Sequence, residues 1–103
     1  MIKKILDMTD VPNSEQAAFW SDGGGLDWIT FDTQLDELFM GVNAALLLQV
    51  APKFTDYILD IGCGTGATTR NFAAHAQHAQ GIDISTSMLT HAKKSAPQNT
   101  TFT

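Results

Sequence analysis

Three glycines at alternate positions form the first candidate site for chemistry in this sequence. They follow the run I-L-D-I at residues 58–61 and precede a helical segment predicted from about Ala67 to Gln77. The run is mostly apolar and long enough for a buried parallel strand. Glycine has no Cβ, so the chain can turn tightly and a ligand can lie against the backbone. The pattern therefore predicts a nucleotide cradle built from Gly62, Gly64 and Gly66.

An acidic residue, Asp83, is spaced for the sugar of such a ligand. It lies 21 residues after Gly62, near the end of the apolar run at residues 79–84. A carboxylate suits a ribose because it accepts hydrogen bonds from both hydroxyl groups. The glycines alone do not select the ligand, since residues 62–67 also satisfy the G-x-G-x-x-G/A fingerprint of NAD and FAD sites. A purely structural role for the glycines is a third interpretation.

The surroundings of the glycines resemble one protein family. D-I-G-C-G-T-G at residues 60–66 is similar to the first motif of the class I S-adenosylmethionine (SAM) dependent methyltransferases. G-I-D-I-S at residues 81–85 resembles the second strand of that family. S-M-L at residues 87–89, followed by a lysine-bearing helix, resembles the next segment. Residues 57–103, about half of the chain, therefore resemble the start of that fold, and the resemblance favours SAM over a dinucleotide.

The resemblance also implies which residues contact the cofactor. Asp83 is expected to bind the ribose, Ile84 and Met88 to line the adenine, and Asp60 to meet the amine of the methionine tail directly or through water. Methyl transfer needs a well-placed nucleophile and sometimes a base. No residue is identified as that base, and the methyl acceptor is not identified either. The predicted cofactor-binding residues are Asp60, Gly62, Cys63, Gly64, Gly66, Asp83, Ile84 and Met88.

Other residue types that can do chemistry have plainer interpretations. Cys63 is expected to be a small filler of the turn, since no His–Asp pair accompanies it in the sequence. The three histidines are expected to be solvated at helix ends, and no metal site is predicted. Trp20 and Trp28 are expected to be core residues rather than lids over a cofactor.

The composition is that of one globular domain. The chain has 103 residues, a formal net charge of −5 and six Lys and Arg, which argues against a nucleic acid as the main partner. Its single cysteine excludes an internal disulfide and a cysteine-rich zinc site. No segment resembles a signal peptide, and the apolar run at residues 44–48 is far shorter than a membrane span. The expected location is the cytoplasm, with no membrane partner.

The sequence predicts two regions, a helical cap over residues 1–52 and the first half of a SAM-binding domain over residues 53–103. Residues 1–12 are interpreted as a short strand or an ordered arm. A short helix follows, capped by Asn13 or Ser14, and S-D-G-G-G at residues 21–25 is expected to break it.

Residues 34–50 are predicted to form an amphipathic helix, capped near Asp32 or Thr33 and stopped before Pro52. A later helix, capped by Ser85 or Thr86, is expected to run to about Lys94. The spacing of Trp20, Gly25, Trp28 and Leu35-Asp36 loosely resembles the cap of small-molecule methyltransferases of the ubiquinone-biosynthesis type.

The predicted fold is a partial Rossmann-like α/β/α sandwich with two to three parallel strands. The complete family fold has seven strands, so the glycine strand is expected to have an unpaired edge, which invites pairing with another chain. Three explanations stay open: a fragment of a larger methyltransferase, a homodimer that completes the sheet, and a shortened descendant that has lost catalysis. Little methyltransferase activity is expected of the isolated chain.

Overall fold

A computed structural model describes residues 12–103. The strand or arm expected over residues 1–12 therefore lies almost wholly outside the described residues. Within this range three helices come first, and three strands then alternate with two helices. The elements are α1 (Ser14–Ser21), α2 (Gly23–Thr30), α3 (Asp32–Val50), β1 (Tyr57–Ile61), α4 (Ala67–Ala73), β2 (His78–Ile82), α5 (Thr86–Lys93) and β3 (Thr100–Phe102).

The three strands form one parallel sheet in the order β1-β2-β3. Parallel strands need crossover connections, and here α4 and α5 provide them. This arrangement confirms the predicted Rossmann-like α/β fold class.

Predicted boundaries hold within a few residues, except that α4 ends at Ala73 rather than near Gln77. The backbone there turns toward β2, where the N–H of Gln77 donates to the carbonyl of Asp56.

Both crossover helices pack on the same face of the sheet. Asp60, Gly81 and Phe102 are register partners that form one row across that face. α4 contacts this row through Thr69, whose hydroxyl donates to the Asp60 carboxylate over 2.7 Å. α5 packs on the same row through Leu89, which belongs to the same buried cluster as Phe102. The described residues thus supply two layers of the predicted three-layer sandwich.

The opposite face of β1 is open to solvent. Tyr57, Leu59 and Ile61 point to this face, and Ile61 is 75% exposed. Within residues 12–103, β1 also pairs with β2 alone and lies at the edge of the sheet. The expected unpaired edge of the glycine strand is therefore confirmed for the described part of the chain.

The expected break after α1 is confirmed, because α1 ends at Ser21, but it is shorter than the predicted residues 21–25, since Gly23, Gly24 and Gly25 begin α2. The interruption is confined to Asp22, whose backbone lies outside the helical region. Glycine weakens an isolated helix, but packing overrides that preference here. Gly25 is buried, and a Cβ on it would collide with the backbone carbonyl of Trp20. The glycines thus let α2 lie close against the end of α1.

The long helix α3 begins at Asp32, without a side-chain cap, and ends at Val50 before a left-handed residue, Ala51. Its predicted apolar side is not buried within the described residues. Leu38 and Val42 of that side are 71% and 64% exposed, and no residue of α3 is fully buried. The expected side-chain caps at Asn13 and Ser14 of α1 are likewise absent, since Asn13 is left-handed there and caps through no side chain.

None of the helices in the described range combines the length and the apolarity needed to cross a bilayer.

Candidate functional site

The residues that connect β1 to α4, here called the glycine turn (residues 62–66), are fixed by the end of β2. The backbone N–H groups of Gly62 and Cys63 both donate to the carbonyl of Ile82, over 2.8 and 3.0 Å. Gly62, Gly64 and Gly66 have φ values of 77°, 54° and 90°, a region that residues with a Cβ rarely adopt. The sequence Gly-x-Gly-x-Gly is therefore required by the backbone itself.

Asp83 lies directly after β2 and faces the glycine turn. Its Oδ2 accepts a hydrogen bond from the N–H of Gly64 and its Oδ1 accepts one from the N–H of Ser85, both over 2.8 Å. A carboxylate offers about four lone-pair positions, so acceptor capacity is left for a ligand. These two bonds hold the carboxylate at the mouth of the turn, where the sequence prediction placed it.

A large cavity of about 550 Å³ opens beside the turn. Its walls are apolar, and Asp83 is the charged residue among them. An added Cβ at Gly62 would meet nothing within 4 Å, so the backbone there borders open space. A nucleoside fits these features, with its sugar at the carboxylate and its base against the apolar walls. The cavity is lined by Trp20, Trp28, Ile61, Gly62, Gly64, Ile82, Asp83, Ile84 and Met88.

The position of the two tryptophans corrects the expectation that they are core residues. Trp20 and Trp28 come from α1 and α2 and line the large cavity. Trp28 also stacks on Phe39 of α3, with ring centroids 6.1 Å apart and planes inclined by 7°. The helices before the sheet therefore form one wall of the cavity.

The junction between these helices and α5 depends on Ser85. This residue is fully buried, and its hydroxyl donates to the carbonyl of Trp20 over 2.5 Å. The same hydroxyl accepts from the N–H of Met88 and so caps α5, as the sequence predicted. Thr86 adds a second link, since its N–H donates to the hydroxyl of Ser21.

Asp32 was considered in the sequence only as a helix cap, but its carboxylate joins three parts of the structure. Its Oδ1 accepts from the hydroxyl of Thr65 in the glycine turn over 2.7 Å. Its Oδ2 lies 3.2 Å from Nε2 of His91 on α5. His91 is therefore half-buried and paired rather than simply solvated, which corrects the expectation for this histidine. These contacts join residues far apart in the chain, so no local pattern identified them.

Asp60 and Gly66 line neither of the two cavities next to the turn. Burial raises the pKa of the Asp60 carboxyl, the hydrogen bond from Thr69 lowers it, and the charge of Asp83 raises it further. The predicted contact between Asp60 and a ligand amine stays a prediction. Gly66 instead packs against the ring of Phe102 and is the N-cap residue of α4.

Cys63 points into the protein beneath the turn. Burial, with the charges of Asp83 and Asp60, raises the pKa of its thiol to about 11. A thiol with that pKa is ionised in about one molecule in a thousand at pH 8, against roughly one in four for an ordinary cysteine. The thiolate is the nucleophilic form, so the structure supports the interpretation of Cys63 as a filler.

Alkylation of Cys63 by iodoacetamide at pH 8 is expected to be on the order of 100-fold slower in the folded chain than in the chain unfolded by urea. Mass spectrometry of quenched samples measures both rates. Equal rates would contradict the burial and the raised pKa of this thiol.

The chain was compared with known families and proteins. Residues 58–103 match a family model described as a methyltransferase domain. A probable methyltransferase of Aspergillus luteorubrus, ltbC, is 47% identical over 58 residues, which is 54% of this chain and 20% of that protein.

Two solved structures have related folds. A dimethyladenosine transferase from Plasmodium falciparum aligns with a TM-score of 0.56 and 29% identity, over 60% of this chain and 24% of that one. A complex of DhpI with SAM aligns with a TM-score of 0.60 and 18% identity, over 85% of this chain and 40% of that one. The chain thus spans well under half the length of these relatives. Residues 58–103 are thus similar to a methyltransferase domain, and the fold of the described residues is that of the N-terminal portion of these related structures.

Proposed function

We propose that this chain binds SAM in the large cavity and forms the cofactor-binding part of a methyltransferase that acts on a small molecule. One observation carries the proposal. The carboxylate of Asp83 is fixed by the N–H groups of Gly64 and Ser85 at the edge of an apolar cavity that the glycine turn also borders. A ribose diol next to a hydrophobic base has the complementary chemistry.

In the proposed complex, the two ribose hydroxyls donate to the free lone pairs of Asp83. The adenine lies against Ile84 and Met88, and the tryptophans of α1 and α2 cover it on the opposite side. The sulfonium of bound SAM supplies the methyl group. The residues of this chain orient the cofactor and exclude water from it. These are the main contributions that a protein makes to methyl transfer from SAM.

Two lines of support come from relatives. The A. luteorubrus protein is named a probable methyltransferase, and the DhpI structure contains SAM.

A small-molecule acceptor is favoured by the net charge of −5, because a nucleic-acid substrate requires clustered cations. A cytoplasmic location accords with this function and forms part of the proposal.

Titration calorimetry of the purified chain tests the proposal. SAM and S-adenosylhomocysteine are expected to bind saturably, and NADH at least about tenfold more weakly, because the large cavity has a single charged residue and that residue repels a diphosphate. Tighter binding of NADH would support the dinucleotide interpretation instead. Absence of binding by all three compounds would contradict the proposed function.

A non-catalytic SAM-binding or dimerisation module is the second candidate. The exposed edge and face of β1 favour it, since Leu59 and Ile61 lie at an edge that a second copy of the chain could pair with. Analytical ultracentrifugation in parallel with the calorimetry separates the two candidates. A dimer that binds no SAM supports the dimerisation module, whereas SAM binding by a chain that stays monomeric supports the cofactor-binding part of an enzyme.

A further inference from the structure

A small cavity of about 200 Å³ adjoins the large one across the glycine turn. The two cavities share Trp28, Gly62 and Gly64, so a ligand that runs along the turn passes from one into the other. The small cavity has a more polar lining. It is bordered by Trp28, Leu35, Asp36, Phe39, Asn43, Gly62, Cys63, Gly64, Thr65, Ala67 and Thr68.

Asp36 is the charged residue among those that line the small cavity. It lies on α3, one turn after Asp32, and is half-buried. Whereas Asp32 is bonded to Thr65 and His91, the carboxylate of Asp36 accepts no hydrogen bond from any group within residues 12–103. Asp36, which borders the small cavity and also a third cavity beside Arg70, therefore has a carboxylate with acceptor capacity and no bonded donor in the described part of the chain.

The charge balance around Asp36 is negative. Burial and the neighbouring charge of Asp32 raise the pKa of its carboxyl, and the Arg70 guanidinium lowers it by a smaller amount. Arg70 itself donates to the carbonyl of Thr65. A cationic donor in the small cavity would compensate the repulsion between Asp32 and Asp36 and form a charge-assisted hydrogen bond.

We propose that Asp36 binds the α-ammonium group of the methionine tail of SAM. The inference rests on the proposed function, which places the adenosine in the large cavity and so directs the tail along the turn into the small one. The ammonium is the cationic hydrogen-bond donor of the tail, because the sulfonium has no N–H group. Asp36 thus takes a role that the sequence suggested for Asp60, which lines neither cavity.

A pair of ligands and a pair of variants test this inference. S-adenosylhomocysteine carries the tail, whereas 5′-methylthioadenosine has the same nucleoside without the ammonium and carboxylate. Asp36→Asn removes one negative charge at nearly constant volume. Glu37→Gln is the matched control, because Glu37 is the next residue of α3, is exposed and lines neither cavity.

Calorimetry is expected to show about a tenfold loss of affinity of Asp36→Asn for S-adenosylhomocysteine. Its affinity for methylthioadenosine should stay within about twofold of the unsubstituted chain, and Glu37→Gln should bind both ligands normally. Thermal unfolding checks that both variants fold, which is expected of Asp36→Asn because the repulsion from Asp32 that it relieves is larger than the attraction of Arg70 that it loses.

Three results would overturn the inference. Unchanged binding of S-adenosylhomocysteine by Asp36→Asn would show that the ammonium lies elsewhere, and tighter binding would place the tail carboxylate at Asp36. An equal loss for both ligands would place the effect at the nucleoside. In all three results the unsubstituted chain still binds S-adenosylhomocysteine. If the proposed function itself were wrong, the unsubstituted chain would not bind this ligand at all.

Discussion

Asp83→Asn is expected to weaken the binding of S-adenosylhomocysteine by roughly 100-fold, because two kinds of contact are lost together. The amide lacks the negative charge that favours the ribose hydroxyls. In the unsubstituted chain, the N–H groups of Gly64 and Ser85 each donate to one oxygen of the Asp83 carboxylate over 2.8 Å. The amide of asparagine has one oxygen, so its NH₂ group must face one of these two N–H groups. One backbone donor is then left without a partner, so the turn that borders the cofactor is distorted as well.

Asp27→Asn provides the control for Asp83→Asn. Asp27 is an exposed acid of α2 that lines neither cavity, so its replacement makes the same change of charge without touching the site. Calorimetry gives the affinities, and urea unfolding is expected to show that Asp83→Asn also loses about 1–3 kcal/mol of stability. Binding by Asp83→Asn as tight as that of the control would contradict the role of Asp83 in holding the ribose.

The parts of the site that the sequence predicted correctly depend on local chemistry. A tight strand-to-helix connection requires positive φ angles, and Gly62 and Gly64 are residues that adopt them without strain. A helix after a strand needs a cap, and Ser85 provides it through the N–H of Met88. The backbone enforces such requirements over a few residues, so the sequence shows them directly.

The parts that the sequence did not predict depend on contacts between distant segments. Gly25 lies in a helix because its missing Cβ makes room for the carbonyl of Trp20. Asp32 bonds to Thr65 and His91, which are far from it in the chain. Propensity and spacing describe neighbours in sequence, so they extended the break after Ser21 as far as Gly25 and gave only a simple cap at Asp32.

The exposed apolar residues of α3 and β1 show a different limit. The periodicity of α3 and the apolar run of β1 predicted buried faces, and the described residues leave those faces uncovered. A hydrophobic pattern indicates that a face favours burial, but it does not identify the segment or molecule that covers it. In the second candidate function, pairing with a second copy of the chain covers the β1 edge.

Gly66→Ala is expected to destabilise the chain by about 2–5 kcal/mol, a large share of the stability of a small domain. A left-handed backbone at residue 66, where φ is 90°, costs an alanine about 1–2 kcal/mol. The new Cβ would also lie 2.8 Å from two ring atoms of Phe102, and crowding of this kind costs about 1–3 kcal/mol more. Phe102 is buried in the core cluster and cannot move aside freely. Urea unfolding followed by circular dichroism measures the loss.

Gly62→Ala separates backbone strain from crowding. Residue 62 has a similar φ of 77°, but its Cβ would meet nothing within 4 Å, so the expected loss of stability is only about 1–2 kcal/mol. Because Gly62 borders both cavities, its methyl group should instead weaken the binding of S-adenosylhomocysteine, by about tenfold. Equal destabilisation by the two substitutions would show that strain alone explains Gly66, and normal binding by Gly62→Ala would show that the cofactor does not lie against the turn.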